Sequence, residues 1–85
     1  MLRIGVIGIV IEGSREIAAQ VQSILSEYGD IIVGRMGIPD RPRNISVISV
    51  IVKGSNEEIS ALSGKLGKLS NVSVKSALTK VEIHE

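Results

Sequence analysis

Ile4-Gly5-Val6-Ile7-Gly8-Ile9-Val10-Ile11-Glu12-Gly13-Ser14-Arg15-Glu16 returns 41 positions later as Ile45-Ser46-Val47-Ile48-Ser49-Val50-Ile51-Val52-Lys53-Gly54-Ser55-Asn56-Glu57. Six of the 13 positions are identical, and five of the others exchange Ile for Val or Gly for Ser. The same shift carries Leu25 onto Leu66, Tyr28 onto Leu69, Ile31 onto Val72 and Val33 onto Val74. A period near 40 residues suits a solenoid, but two copies are too few to stack into one. Two copies that close on each other make one globular domain. The expectation is therefore a single domain over residues 1–85, internally duplicated at about 4–38 and 45–79.

Within each copy the run of β-branched residues, Ile4 to Ile11 or Ile45 to Val52, is too short for a good helix and reads as a strand. A glycine turn and a serine N-cap follow, Gly13-Ser14 and Gly54-Ser55, the serine hydroxyl accepting a free backbone N–H. Ser55 with Glu58 also fits a capping box. Ile17, Ala18, Val21, Ile24, Leu25 and Tyr28 then recur at helical spacing, as do Ile59, Leu62, Leu66 and Leu69. Gly29 is placed to end the first helix in the left-handed conformation. Gly64 and Gly67 weaken the second and are placed for a close backbone approach. Ile31 to Ile38 and Val72 to Leu78 complete the units as strands. The proline-marked stretch Pro39-Asp40-Arg41-Pro42-Arg43-Asn44 joins the units as a hairpin loop.

The order βαββαβ predicts an α+β, ferredoxin-like sandwich: a four-stranded antiparallel sheet with two helices on one face. The first and third strands are central, and both are apolar on both faces. Helices cover one face only, so either Ile4, Val6, Val10, Ile45, Val47 and Ile51 or the alternate set is left open to water. Ile32, Met36 and Ile38 are expected to extend the open patch. Monomers rarely expose so large an apolar surface, and a homo-oligomer, dimer or tetramer, joined through the helix-free face is expected.

Composition narrows the function. Ten basic residues against nine acidic ones create no field that draws nucleic acid or a membrane. The sheet has no aromatic on which RNA bases could stack, as ferredoxin-like RNA binders require. No cysteine and a single histidine, His84, leave no zinc or nickel site and no cofactor to expect. The apolar run after Arg3 is too short to span a bilayer, and Glu12-Gly13-Ser14-Arg15 offers no signal-peptide cleavage site. A cytoplasmic protein is the expectation. No nucleophile has a base in reach, so no catalytic residue is assigned. Ser63-Gly64-Lys65-Leu66-Gly67-Lys68 lacks the phosphate-loop spacing and lies within a helix.

Two candidate ligand sites remain. Gly13 and Ser14 stand where a strand meets a helix N-terminus, a place suited to an anion, although the duplicate Gly54-Ser55 favours a plain structural turn. Arg35, Arg41 and Arg43 cluster around the hairpin, where guanidinium groups can hold a carboxylate or phosphate bidentately. They have no counterpart in the second half, since position 35 maps onto Ser76. Arg35 with Arg41 or Arg43 is expected to bind a small acidic ligand or an acidic partner surface.

Arg35-Met36-Gly37-Ile38-Pro39 followed by Arg41, and Ser60-Ala61-Leu62-Ser63-Gly64-Lys65-Leu66-Gly67, resemble the small family of putative iron-only hydrogenase system regulators. That family is similar to ACT domains and to the C-terminal regulatory domain of nickel-responsive repressors. The resemblance implies an oligomeric, ACT-like, non-enzymatic regulatory domain that binds a small ligand or a protein partner. A structural or assembly role in the hydrogenase system, with no ligand, is the alternative. The sequence departs from the nickel repressors in lacking their histidines and cysteine and their DNA-binding domain. Nickel sensing of that kind is not expected, and any transcriptional role would require a partner.

Overall fold

β-branched residues crowd their own helical turns but pack well on a pleated surface, and the two duplicated runs form the centre of the protein as its middle strands. The computed structural model describes residues 1–84. β1 (Leu2–Glu12) and β3 (Ile45–Gly54) run antiparallel, with Val6 facing Ile51, Ile7 facing Val50 and Val10 facing Val47. β2 (Ile32–Asp40) adds to the outer side of β3 and β4 (Val72–Ile83) to the outer side of β1, giving the order β2-β3-β1-β4. α1 (Arg15–Glu27) links β1 to β2 and α2 (Asn56–Gly67) links β3 to β4. This is the expected ferredoxin-like arrangement, with β1 and β3 central and two edge strands.

Alternation decides which face the helices take, because successive strand residues point to opposite sides. Ile7, Ile9, Ile11, Ile48, Val50 and Val52 are buried together with Val21 and Leu25 of α1 and Ile59, Leu62 and Leu66 of α2. Ile17, Ile24, Tyr28, Leu69, Val72 and Val74 close the margins of this core. The second helix is held at its start by the expected capping box. Glu58 N–H donates to Ser55 Oγ at 3.1 Å, and Ser55 N–H donates to the Glu58 carboxylate at 2.9 Å.

Several local expectations are corrected. Ser14 occupies the N-cap of α1, but its hydroxyl accepts no cap hydrogen bond. The residue three places on is Ile17, which packs toward the core, where the second copy has the Glu58 carboxylate that completes the box. Gly29 does not end α1 in a left-handed conformation. Tyr28 is the C-cap, its N–H shared between the carbonyls of Ile24 and Leu25, and a 3-10 turn over Gly29–Ile31 follows. That tight turn carries Ile31 into the core, so it serves burial rather than helix termination alone. Gly64 and Gly67 have nothing within 4 Å of where a Cβ would stand, so they mediate no close approach. Close approaches occur instead at Gly5, where a Cβ would lie 2.9 Å from the Ala77 carbonyl, and at Gly54, where it would meet Ile31 Cγ2 at 3.0 Å.

Ile32 also departs from expectation. The register between β2 and β3 slips between Ile32 and Gly34, and such an irregularity flips a side chain to the other face. Ile32 therefore packs on the core rather than extending the open face, while Met36 and Ile38 lie open beside Ser49 and Val47 as expected. Finally, β4 runs past Leu78 to Ile83 because the start of β1 pairs with it, Leu2 with Ile83 and Arg3 with Glu82.

Candidate functional site

The helix-free face is built row by row from the strand register. Ile38, Val47, Val10 and Ser73 lie side by side, then Met36, Ser49, Gly8 and Lys75, then Gly34, Ile51, Val6 and Ala77. Ile4 and Lys53 form the next row. The apolar members are open to solvent: Val6 is 43% exposed, Val47 and Ile51 45%, Ile38 62% and Met36 65%. A face that met only water would be polar at these positions. Seven to nine residues along four strands span about 20 by 30 Å, roughly 600 Å² per copy. Two such faces laid together would bury about 1,200 Å², the lower bound of a standard specific interface.

The arginines do not gather at one point. Arg35 lies opposite Val50 on the helix-side face of β2 and donates to Gln22 Oε1 of α1. From Arg35 to Asp40 the chain is extended strand, about 17 Å at the rise of a strand, so Arg41 and Arg43 stand at the far end of it. They belong to a 3-10 turn, Arg41–Arg43, that closes on Asn44 in the left-handed region at φ 56°. Arg43 is occupied by Asp40 at 2.9 Å in an exposed pair, of the kind that contributes little to stability. Arg41 forms no side-chain hydrogen bond or ion pair among the described residues.

Next to Arg35 is a feature that sequence reasoning missed. A shallow cavity of about 150 Å³ lies between α1 and the β2 edge, lined by Gln22 and by residues 37–39 and 46–48. Gly37 supplies no side chain there, which leaves the space open beneath Gln22. The only sequence signal was glycine on an edge strand, which marks room for an approach. Gln22 gave none, since a polar residue beside an apolar helical stripe reads as solvated surface.

Gly13 and Ser14 form a turn stitched into the fold. Gly13 has φ 111°, a conformation that glycine adopts freely and other residues do not. Its N–H donates to the Asn44 carbonyl at 3.0 Å, and Glu12 N–H donates to the Asn71 carbonyl at 2.8 Å. The first turn thus ties the hairpin loop and the α2–β4 turn together. Gly54 lacks the positive φ, so the two duplicated turns do different work.

Two ionisable groups are displaced from their ordinary behaviour, and both are at helix surfaces. The backbone N–H of Ser55, and then its hydroxyl, lower the Glu58 carboxyl below its ordinary 4.5. Lys65 is raised above 10.5 by its hydrogen bond to Glu27, then by the charge of Glu27 and by Tyr28. Lys65 joins α2 to α1 through Glu27 at 2.9 Å and stands 5.5 Å from the centre of the Tyr28 ring. Among the described residues no three His, Cys, Asp or Glu side chains come together to hold a metal. No helix among them is long and apolar enough to cross a membrane.

The βαββαβ chain, with its four-stranded antiparallel sheet and two helices, has an ACT-like fold, which solved ACT domains share. The ACT domain of GTP pyrophosphokinase from Chlorobium tepidum matches with a TM-score of 0.70 and 17% identity, over 99% of this chain and 93% of that one. An ACT domain protein from Streptococcus pneumoniae matches at 0.56 and 18% identity, over 89% of each chain. The chain belongs to the TM1266-like family, described as "Iron-only hydrogenase system regulator, putative", whose model matches residues 3–76. Uncharacterized protein TM1266 from Thermotoga maritima has 36% identity and a TM-score of 0.91, over 94% of this chain and all of that one. A comparison with curated proteins found no match.

Proposed function

We propose that this chain is a non-enzymatic regulatory domain of the iron-only hydrogenase system that works in the cytoplasm as a dimer or a dimer of dimers. In the assembly the helix-free faces of two sheets cover each other, and binding of a small acidic ligand or a protein partner is passed between subunits. The observation that carries this reading is the set of exposed aliphatic side chains on the two central strands, Ile4 and Val6 on β1 with Val47 and Ile51 on β3. Membership of the regulator family supports the regulatory half of it. Acidic-group recognition is assigned first to Arg35, because Arg43 is already paired with Asp40 and Arg41 stands with it at the far end of β2. Gly13 and Ser14 are given the structural role. The alternative, an assembly protein with no ligand, is favoured by the shallowness of the cavity beside Arg35.

Folding coupled to association makes the melting temperature depend on protein concentration. Thermal unfolding over a wide dilution series tests the proposal. The melting temperature should fall steadily on dilution, and one that does not move would contradict an assembly of this kind.

A further inference from the structure

We infer that the cavity between α1 and the β2 edge is a binding site for a short aliphatic carboxylate, with Arg35 holding the carboxylate head. The inference deepens the ligand-binding reading above and rests on it. Arg35 lies on the same face of β2 as Gly37, two residues away, and its guanidinium is held by Gln22, which also lines the cavity. The group therefore stands at the cavity's rim. Gln22 Oε1 is a neutral acceptor, and no carboxylate pairs with Arg35 among the described residues. A guanidinium has five N–H donors in a fork that fits a carboxylate, so most of its capacity is open. The Gln22 amide N–H₂ adds donors beside it, and the Ser46 hydroxyl adds one further along the cavity wall, opposite Pro39.

The interior selects the rest of the ligand. Pro39 and Ile48 give apolar walls, and the missing side chain of Gly37 gives the space. At roughly 30 Å³ per water in the liquid, about 150 Å³ is the space of a few waters or a short carbon chain. A phosphate placed there would bury oxygens against Pro39 and Ile48 without partners. An aliphatic acid puts its charge on Arg35 and its carbons in the cavity.

Two substitutions separate head from tail. Arg35→Gln removes the charge on an exposed edge. Gly37→Val fills the cavity without strain, because a Cβ at Gly37 would meet Ile48 Cγ1 at 3.7 Å and the Val47 carbonyl at 3.8 Å, ordinary contacts. The experiment is amide NMR titration of the full chain with 3-methylbutanoate, with 3-methylbutan-1-ol and inorganic phosphate run alongside. The Gly37 amide and the Gln22 side-chain amide should shift with 3-methylbutanoate at millimolar concentration and not with the alcohol. Each substitution should weaken that response about tenfold or more, as expected for a lost charge-assisted pair. No shift, an equal response to the alcohol, a response to phosphate alone, or a response indifferent to both substitutions would overturn the site. Light scattering on the same samples keeps the two readings apart. A monomer with an intact response supports the site and removes only the dimer.

Discussion

Ile51→Lys separates the two faces of the sheet. Ile51 faces Val6 in the middle of the helix-free side and is 45% exposed in the single chain. Burying the rest of it in an interface is worth a little under half of the roughly 1.5–3 kcal/mol of full burial, or about 1 kcal/mol per copy. A dimer loses that twice and must also desolvate two ammonium groups, each at a cost of at least about 1 kcal/mol even if they partly reach water. The total is about 4 kcal/mol, close to a thousandfold rise in Kd at 1.4 kcal/mol per decade. The chain itself should fold, since the position touches no buried core residue from the helix side. Sedimentation equilibrium gives the Kd, and far-UV circular dichroism reports the fold. An unchanged association constant for Ile51→Lys would refute the assignment of this face as the interface. Loss of the fold would show that Ile51 supports the core, contrary to the packing described.

Ile9→Lys and Val50→Lys do the opposite, because both side chains are fully buried under the helices. An unpaired charge there costs more than about 4 kcal/mol of a stability near 5–15 kcal/mol, and circular dichroism should show an unfolded or barely folded chain. Gly5→Ala should destabilise strongly, since a Cβ would run into the Leu78 side chain and lie 2.9 Å from the Ala77 carbonyl; denaturant titration measures it. The Glu58 carboxylate is held ionised by Ser55, so the capping box contributes fully above pH 4.5 and is lost as pH falls through the lowered value. Ser55→Ala should cost about 1 kcal/mol at neutral pH and reduce the loss of stability seen on acidification. Ser63 Oγ is buried with no partner among the described residues, so Ser63→Ala should stabilise by about 0.5–1 kcal/mol in the same titration.

The duplicated strand-turn-helix units made the architecture legible. Apolar β-branched runs on β1 and β3, and helical stripes from Ile17 to Tyr28 and from Ile59 to Leu69, pack as one sheet face under two helices. The open face was legible for the same reason: two central strands apolar on both sides must leave one side uncovered. Which side that is depended on the register, which places Val50 and Ile9 inward. Ile32 was misplaced because a slip in edge-strand pairing leaves no mark in composition. The arginines were read as a cluster from their nearness in sequence, but an extended strand separates Arg35 from Arg41 and Arg43. The cavity was hinted at only by glycine on the edge strand, since its shape depends on how α1 and Gln22 lie over β2.

Multi-angle light scattering of the intact protein at micromolar concentration reads directly whether the helix-free faces pair. The expected mass is twice, or twice that again, the 9.0 kDa of one chain, shifting toward the single-chain mass in Ile51→Lys. A stable mass of 9.0 kDa for the unaltered chain would mean that the aliphatic face meets water, and would contradict the regulatory assembly built on it.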